Sequence, residues 1–211
     1  TPPKYGAVMY DWVSSTEDAL LDPGVGAGVL TTAKTHSSVG SEVEAFYGID
    51  RSPLAIIMAA TAAKCSHQSV TLHETDFFQM SPGDFDTDFS VICNPPYTRA
   101  RELLSEYKNQ LNRLVEDTTG SSVSLKSPLY VYFLLHAGQF LSPGNRGAFI
   151  TPSQFLSTEY GTAVKRYLRD EFDIHALVEL DLTDERVFPD ATTTGLLTFV
   201  EKSSEPNPNS P

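Results

Sequence analysis

The chain has 211 residues, of which 40% are apolar and 20% charged, enough for one ordinary globular domain; disorder throughout is excluded. Its 27 acidic and 15 basic residues leave a net charge of −12, which excludes a bulk electrostatic grip on a polyanion, so any nucleic-acid contact must be local or supplied elsewhere. The longest apolar stretch, Pro128 to Leu141, carries His136, Gly138 and Gln139 and falls short of the ~20 residues a membrane-spanning helix needs. Two cysteines, Cys65 and Cys93, are too few for a disulfide framework and are not spaced as a metal or redox pair. A reducing, cytoplasmic setting is expected, with no membrane partner. The chain opens at Thr1 with neither Met nor a basic-then-apolar leader, and is read as a fragment of a soluble protein.

In chain order, a helix is expected over Lys4–Ser15, then a strand over Ala19–Asp22 that breaks into the turn Pro23-Gly24-Val25-Gly26-Ala27-Gly28, with a helix following the last glycine. Next come a strand at Ala45–Ile49, a helix at Pro53–Lys64, a strand near Val70–His73 and another at Phe89–Cys93. Arg99–Glu116 has helical periodicity, Thr118–Ser124 is small, polar and expected to be mobile, and Pro128–Leu141 reads as a buried helix. Ser142-Pro143-Gly144-Asn145 is a turn, followed by a strand at Gly147–Ile150, a helix at Tyr160–Glu171 and strands near Ile174–Leu180 and Gly195–Val200. Short apolar runs alternating with helical patterns point to an α/β fold around a mostly parallel sheet. Pro206–Pro211 reads as linker.

Three successive strand ends carry acids. Asp22 opens the glycine turn, where glycines permit a tight bend and close approach of a ligand to the backbone, although a purely structural turn would use the same residues. Asp50 lies 22 residues beyond Gly28, where a carboxylate can accept from ribose hydroxyls of an adenosine-type ligand. A phosphate-binding loop would end in Gly-Lys-Ser/Thr, whereas Gly28 is followed by Val29-Leu30, so triphosphate hydrolysis is disfavoured. Asp76 follows the next strand. Turn capping would account for it equally, but its place on the same sheet edge favours accepting from an adenine amino group, with Phe77 covering the ring.

The strongest signal is Asn94-Pro95-Pro96-Tyr97, directly after the buried run Ser90–Cys93. Two prolines remove two backbone donors and stiffen the chain, which leaves carbonyl oxygens facing outward at the strand's end. Asn94 supplies a side-chain acceptor, the Pro95 carbonyl a backbone one, and Tyr97 a flat ring able to stack on a planar substrate. In isolation Pro-Pro would simply end a strand; after three ligand-type strand ends the four residues read as an acceptor pair for an amino group. The segment Thr98–Arg113 carries Arg99, Arg101, Lys108 and Arg113 against Glu102 and Glu106, a local +2. Phosphate contact is expected there, although a solvated helix face would show similar charges.

These residues resemble the catalytic domain of S-adenosylmethionine-dependent amino-methyltransferases, above all the adenine-specific DNA methylases of restriction-modification systems with gamma motif order. The resemblance runs from about Thr1 to Val200. Thr1-Pro2-Pro3 with Met9 is similar to the segment that helps hold the methionine carboxylate, Asp22–Gly28 to the cofactor loop, Asp50 to the ribose-binding acid, Asp76-Phe77 to the adenine-binding pair, and Asn94–Tyr97 to the catalytic tetrapeptide. Ser127–Tyr130, Gly147–Pro152 and Val187–Ala191 resemble later motifs. One departure is Asp-Pro-Gly-Val-Gly-Ala-Gly in place of the common Asp-Pro-Ala-x-Gly-x-Gly, which should still bind cofactor.

The resemblance implies a Rossmann-like class I methyltransferase fold with a mostly parallel seven-stranded sheet and helices on both faces, spanning residues 1–202, with 203–211 as a disordered tail. It implies S-adenosyl-L-methionine as cofactor, no metal, and methyl transfer to the exocyclic amine of an adenine flipped out of DNA. Arg99 and Arg101 would contact the substrate, and Phe199 would close the second face of the base unless it belongs to the core. DNA would be read through a recognition region or subunit outside this chain. The tetrapeptide also serves enzymes that methylate a protein glutamine amide or an RNA base, and an inactive cofactor-binding module would keep much of the same pattern.

Overall fold

The computed structural model describes residues 1–14, 19–38, 43–120, 122–180 and 194–205. Seven strands form one sheet: β1 Ala19–Asp22, β2 Ala45–Asp50, β3 Thr71–Glu74, β4 Ser90–Cys93, β5 Arg146–Pro152, β6 Phe172–Leu180 and β7 Gly195–Lys202, in the spatial order β3-β2-β1-β4-β5-β7-β6. The pairs β3-β2, β2-β1, β1-β4 and β4-β5 are parallel. Only β7 runs the other way, antiparallel to both β5 and β6. The expected mostly parallel seven-stranded sheet is what forms.

Alternation along the central strands sorts side chains between two cores, because successive residues of a strand point to opposite faces. Leu20, Ile92, Ala148 and Ile150 join Met9, Tyr10 and Val13 of helix α1 (Pro3–Val13) on one face. Leu21, Val91, Cys93 and Phe149 face helix α4 (Leu129–Ala137) on the other. Every residue of α4 is buried, as suits a helix that is apolar all round. Helix α3 (Ser105–Thr119) and helix α5 (Thr162–Glu171) pack against α4, and helix α2 (Pro53–Cys65) packs against β2 and β3.

Four expectations need correction. No α-helix follows Gly28; residues 29–38 form turns and one short 3-10 helix at Ala33–His36. Thr32 N–H reaches the Gly28 carbonyl at 3.2 Å as in one helical turn, but Ala33 and Thr35 donate to the carbonyls three residues back, at 3.1 and 3.0 Å, so the segment tightens into 3-10 geometry. The stretch from Arg99 is not one helix. A 3-10 turn at Ala100–Glu102 precedes α3, and Leu103 and Leu104 are extended between them. At its other end α3 runs through Thr119 to a left-handed Gly120, so Thr118 and Thr119 are helical, and Val123 is buried. Ser203, assigned to the tail, donates its N–H to the Glu171 carbonyl at 3.1 Å. Val187–Ala191 and Pro206–Pro211 lie outside the described residues.

The chain leaves β1 toward β2 and β3 on one side of the sheet, and proceeds from β4 to β5 on the other. That reversal opens a crevice beyond the carboxyl ends of β1 and β4, the place where open α/β sheets bind ligands.

Candidate active site

The turn after β1 is fastened to β2. Val25 donates its N–H to the Ile49 carbonyl at 3.0 Å. Its side chain fills the space beside Gly48, where a Cβ would stand 2.9 Å from Val25 Cγ2. Gly26 has φ +52° and donates its N–H to Asp50 Oδ2 at 3.0 Å, while Asp50 Oδ1 accepts from Ser52 N–H at 2.9 Å. Gly28 has φ +78° and rests on α2: a Cβ there would come within 2.9 Å of Ala59 Cα. Gly24 and Gly26 thus line the crevice, whereas Gly28 shapes the loop by packing behind it.

Asp22 is almost fully buried beneath this loop. Its Oδ1 accepts from Gly24 N–H at 3.2 Å and its Oδ2 has no protein partner. Burial pushes its carboxyl up to about 7, the nearby Asp50 charge adds to the rise, and the Gly24 N–H opposes it. An unsatisfied carboxylate oxygen in such a position suits a cationic group of a ligand.

Beyond β3, Asp76 accepts from Phe78 N–H at 3.1 Å with Oδ1 and from the Tyr107 hydroxyl of α3 at 3.0 Å with Oδ2. Phe77 is buried among Phe133, His136 and Phe140, with ring centroids 4.6 to 5.3 Å away. His136, kept neutral chiefly by burial, has Nε2 3.0 Å from the Met80 carbonyl and so ties down the far end of the Phe77 turn.

At the end of β4, Asn94 is held from both sides. Its Nδ2 donates to Thr1 Oγ1 at 2.6 Å, and its Oδ1 accepts from the Tyr97 hydroxyl. That hydroxyl also lies 2.8 Å from the Ile150 carbonyl at the end of β5. Tyr97 stays a neutral phenol because burial raises its pKa, and its ring meets Tyr130 edge-on at 6.2 Å. Pro2 offers its carbonyl to the Tyr5 and Gly6 N–H groups at the start of α1. The amino-terminal pair therefore reaches the site through Thr1.

These elements enclose a cavity of about 300 Å³ lined by Pro23, Gly24, Gly26, Asp50, Arg51, Thr75, Asp76, Phe77, Asn94, Pro96, Thr98, Tyr107, Leu129 and Phe133. Asp50, Asp76 and Asn94, far apart in sequence, thus face one space, whereas Asp22 lies beneath the loop and does not line it. Pro95 is buried and Tyr97 half-buried behind this wall. Arg99 and Arg101 are exposed on the segment that continues from Thr98. Phe199 is not at the cavity; it lies in the core on the α1 side of the sheet, 6.0 Å edge-on from Trp12, so closing a substrate ring is not its role.

Sequence reasoning missed Arg51, Thr75, Thr98, Tyr107, Leu129 and Phe133. Arg51, Thr75 and Thr98 adjoin residues already singled out, and adjacency was signal enough to find them. Leu129 lies in the Ser127–Tyr130 stretch already singled out, whereas Tyr107 and Phe133 arrive on helices and nothing local marks them.

The cavity combines an acid able to accept from a diol (Asp50) with a second acid beside an aromatic wall (Asp76 and Phe77), and the buried carboxyl of Asp22 lies beneath the Gly24 loop that forms part of its wall. S-adenosylmethionine presents that set of groups: ribose hydroxyls, a flat amino-bearing ring and an ammonium.

A family model described as Eco57I restriction-modification methylase matches residues 60–188. The chain is 30% identical over 199 residues to Type II methyltransferase M.AccI of Acinetobacter calcoaceticus, covering 92% of this chain and 34% of the relative. To Type II methyltransferase M.XamI of Xanthomonas campestris pv. amaranthicola it is 26% identical over 201 residues, covering 93% of this chain and 37% of the relative. It spans about a third of the length of these curated relatives. Among solved structures, a class I S-adenosylmethionine-dependent methyltransferase from Listeria monocytogenes, described as putative, superposes with TM-score 0.74 at 18% identity, covering all of this chain and 63% of the other. The fold is that of the class I methyltransferases.

Proposed function

The chain belongs to the Eco57I restriction-modification methylase family and its cofactor is S-adenosylmethionine; from these premises we propose that it methylates the exocyclic amine of an adenine rotated out of duplex DNA. One observation carries the reading: Asn94, at the head of the Asn-Pro-Pro-Tyr turn, shares a cavity with Asp50 and Asp76 from the neighbouring strand ends. Asp50 accepts from the ribose hydroxyls, Asp76 from the adenine amine of the cofactor with Phe77 as wall, and Asp22 faces the ammonium. The bound cofactor supplies a methyl group already activated by a sulfonium.

The work left to the chain is positioning. An aromatic amine is a poor nucleophile because its lone pair is delocalised into the ring. Acceptance of its two N–H groups by Asn94 Oδ1 and the Pro95 carbonyl favours a pyramidal nitrogen and fixes the direction of that lone pair. Thr1 and Tyr97 orient the Asn94 amide, so this acceptor is held in place before substrate arrives. Leu129 and Phe133 keep part of the wall apolar and exclude water. The surplus proton left on nitrogen after transfer is held by Asn94 Oδ1 and passes to solvent on release, with no covalent enzyme intermediate.

A paired base cannot reach the end of β4, so it must leave the stack at a cost of a few kcal/mol. Stacking on the accessible surface of Tyr97 returns roughly 1 to 3 kcal/mol of this. Target choice and most of the DNA grip would come from parts of the protein beyond these residues, in keeping with the net charge of −12.

The test is incubation with isotopically labelled S-adenosylmethionine and unmethylated duplex DNA, followed by digestion to nucleosides. N6-methyladenine is the expected product. N4-methylcytosine would move the substrate to the other exocyclic amine, and label found only in protein or RNA would overturn the DNA reading.

A further inference from the structure

From the rim of the cavity we infer that Leu104 is a wedge that enters the DNA stack where the target base has left it. This rests on the DNA reading above and names a residue that the reading does not use. Thr98 and Tyr107 both line the cavity, and the eight residues between them form a ridge along its mouth. Leu104 stands on that ridge with 79% of its surface exposed, more than any other large apolar side chain among the described residues.

Its neighbours explain why it points outward and why it is held there. Leu103 packs against the α4-side core, and in an extended segment adjacent side chains point to opposite sides. The ridge is pinned at both ends. Glu102 and Leu103 donate N–H groups back to Arg99 and Ala100 at 2.9 and 3.3 Å, and the Leu104 carbonyl accepts from Lys108 N–H at 3.0 Å in the first turn of α3. Glu102 folds back so that its carboxylate accepts from Arg99 N–H at 3.3 Å and lies 3.9 Å from Arg101 Nε. Arg99 and Arg101 are both exposed on the same segment, within five residues of the leucine, with Arg101 partly balanced by Glu102.

A single exposed leucine needs no explanation by itself, but one at the rim of a base-binding cavity, on a segment that also carries exposed arginines, matches a duplex with a gap: phosphates for the cations, unstacked base faces for the leucine. Filling the gap opposes return of the extruded base, so the wedge should matter only where the base must be extracted from a paired stack.

The experiment compares wild type, Leu104→Ala and Leu104→Met in the whole protein, on duplexes carrying the target site mapped by methylation-sensitive sequencing of DNA that the protein has modified. Two substrates are used, one fully paired and one with an abasic site opposite the target. Leu104→Ala is expected to lose about tenfold or more in kcat/KM on the paired duplex and less than about twofold on the abasic one, with Leu104→Met close to wild type. With 2-aminopurine at the target position, Leu104→Ala should also show a smaller fluorescence rise on binding. Equal losses on both duplexes, or none on either, would overturn the wedge. A fall in melting temperature with unchanged DNA readouts would overturn it by making Leu104 a packing residue against another part of the protein. A wild type that modifies no DNA would remove the DNA reading itself, and the wedge with it.

Discussion

The Asp50 carboxylate accepts the Gly26 N–H at 3.0 Å and the Ser52 N–H at 2.9 Å, one on each oxygen. The acid at the end of β2 is thereby the clamp that holds the glycine turn of β1 in place as well as a wall of the cavity. Each oxygen keeps a second lone pair for a ligand hydroxyl. Loop geometry and ligand affinity are therefore coupled through one side chain.

Asp50→Ala should accordingly weaken S-adenosylmethionine binding by more than one lost hydrogen bond would. A drop of about 3 kcal/mol or more in binding free energy is expected, since charge-assisted bonds are worth roughly 1.5 to 3 kcal/mol each and the loop clamp is lost with them. Calorimetry of the ligand with both proteins measures it directly. Wild-type affinity in the variant would remove Asp50 from the cofactor site.

Asn94→Ala should lower kcat by about a hundredfold or more, the scale for removing one preorganised acceptor or donor at a reacting centre, with cofactor affinity preserved. Tyr97→Phe keeps the ring but frees Asn94 Oδ1 from its hydroxyl partner, and a smaller fall of about tenfold is expected. Single-turnover methyl transfer separates these from effects on release. If either variant loses cofactor binding and folding together, its side chain is structural.

The ligand-free protein should be less stable above neutral pH because of Asp22. Its carboxyl is raised from the ordinary 3.8 to about 7, first by burial and then by Asp50. The unfolded chain ionises near the ordinary value while the folded one holds its proton to higher pH. The associated stability is thus complete below about pH 4 and is lost as pH rises through about 7. Asp22→Asn, which retains an acceptor for Gly24 N–H, should remove this dependence, and the gap between variant and wild-type melting temperatures should widen from pH 5 to pH 8. The same variant should bind cofactor more weakly, because its neutral amide cannot pair with an ammonium. A gap that does not change with pH would refute the assignment.

Gly28→Ala should destabilise the fold by roughly 1 to 3 kcal/mol, since it combines a left-handed backbone at φ +78° with a Cβ 2.9 Å from Ala59 Cα. Denaturant unfolding measures the loss. Gly24→Ala, whose added Cβ would meet nothing nearer than 3.7 Å, should cost much less stability and act mainly on cofactor affinity. Equal stability losses in the two variants would mean that Gly28 has no special packing role.

The sequence alone determined the strands and the acids at their ends. β1 was legible at both boundaries because Ala19–Asp22 is an apolar run cut by Pro-Gly, and Asn94–Tyr97 was legible because two prolines must end β4. Such signals are local: they depend on backbone donors, φ restrictions and burial period. Tertiary structure decided the rest. The segment after Gly28 tightened into turns and a 3-10 helix instead of an α-helix, Phe199 went to the α1-side core because its position in β7 faces Trp12, and Thr1 met Asn94 across 93 residues. Tyr107 and Phe133 became cavity walls only when α3 and α4 packed over the sheet edge. A helix's periodicity says that one face is buried but not which neighbour it meets, and that choice is made by the packing of the whole chain.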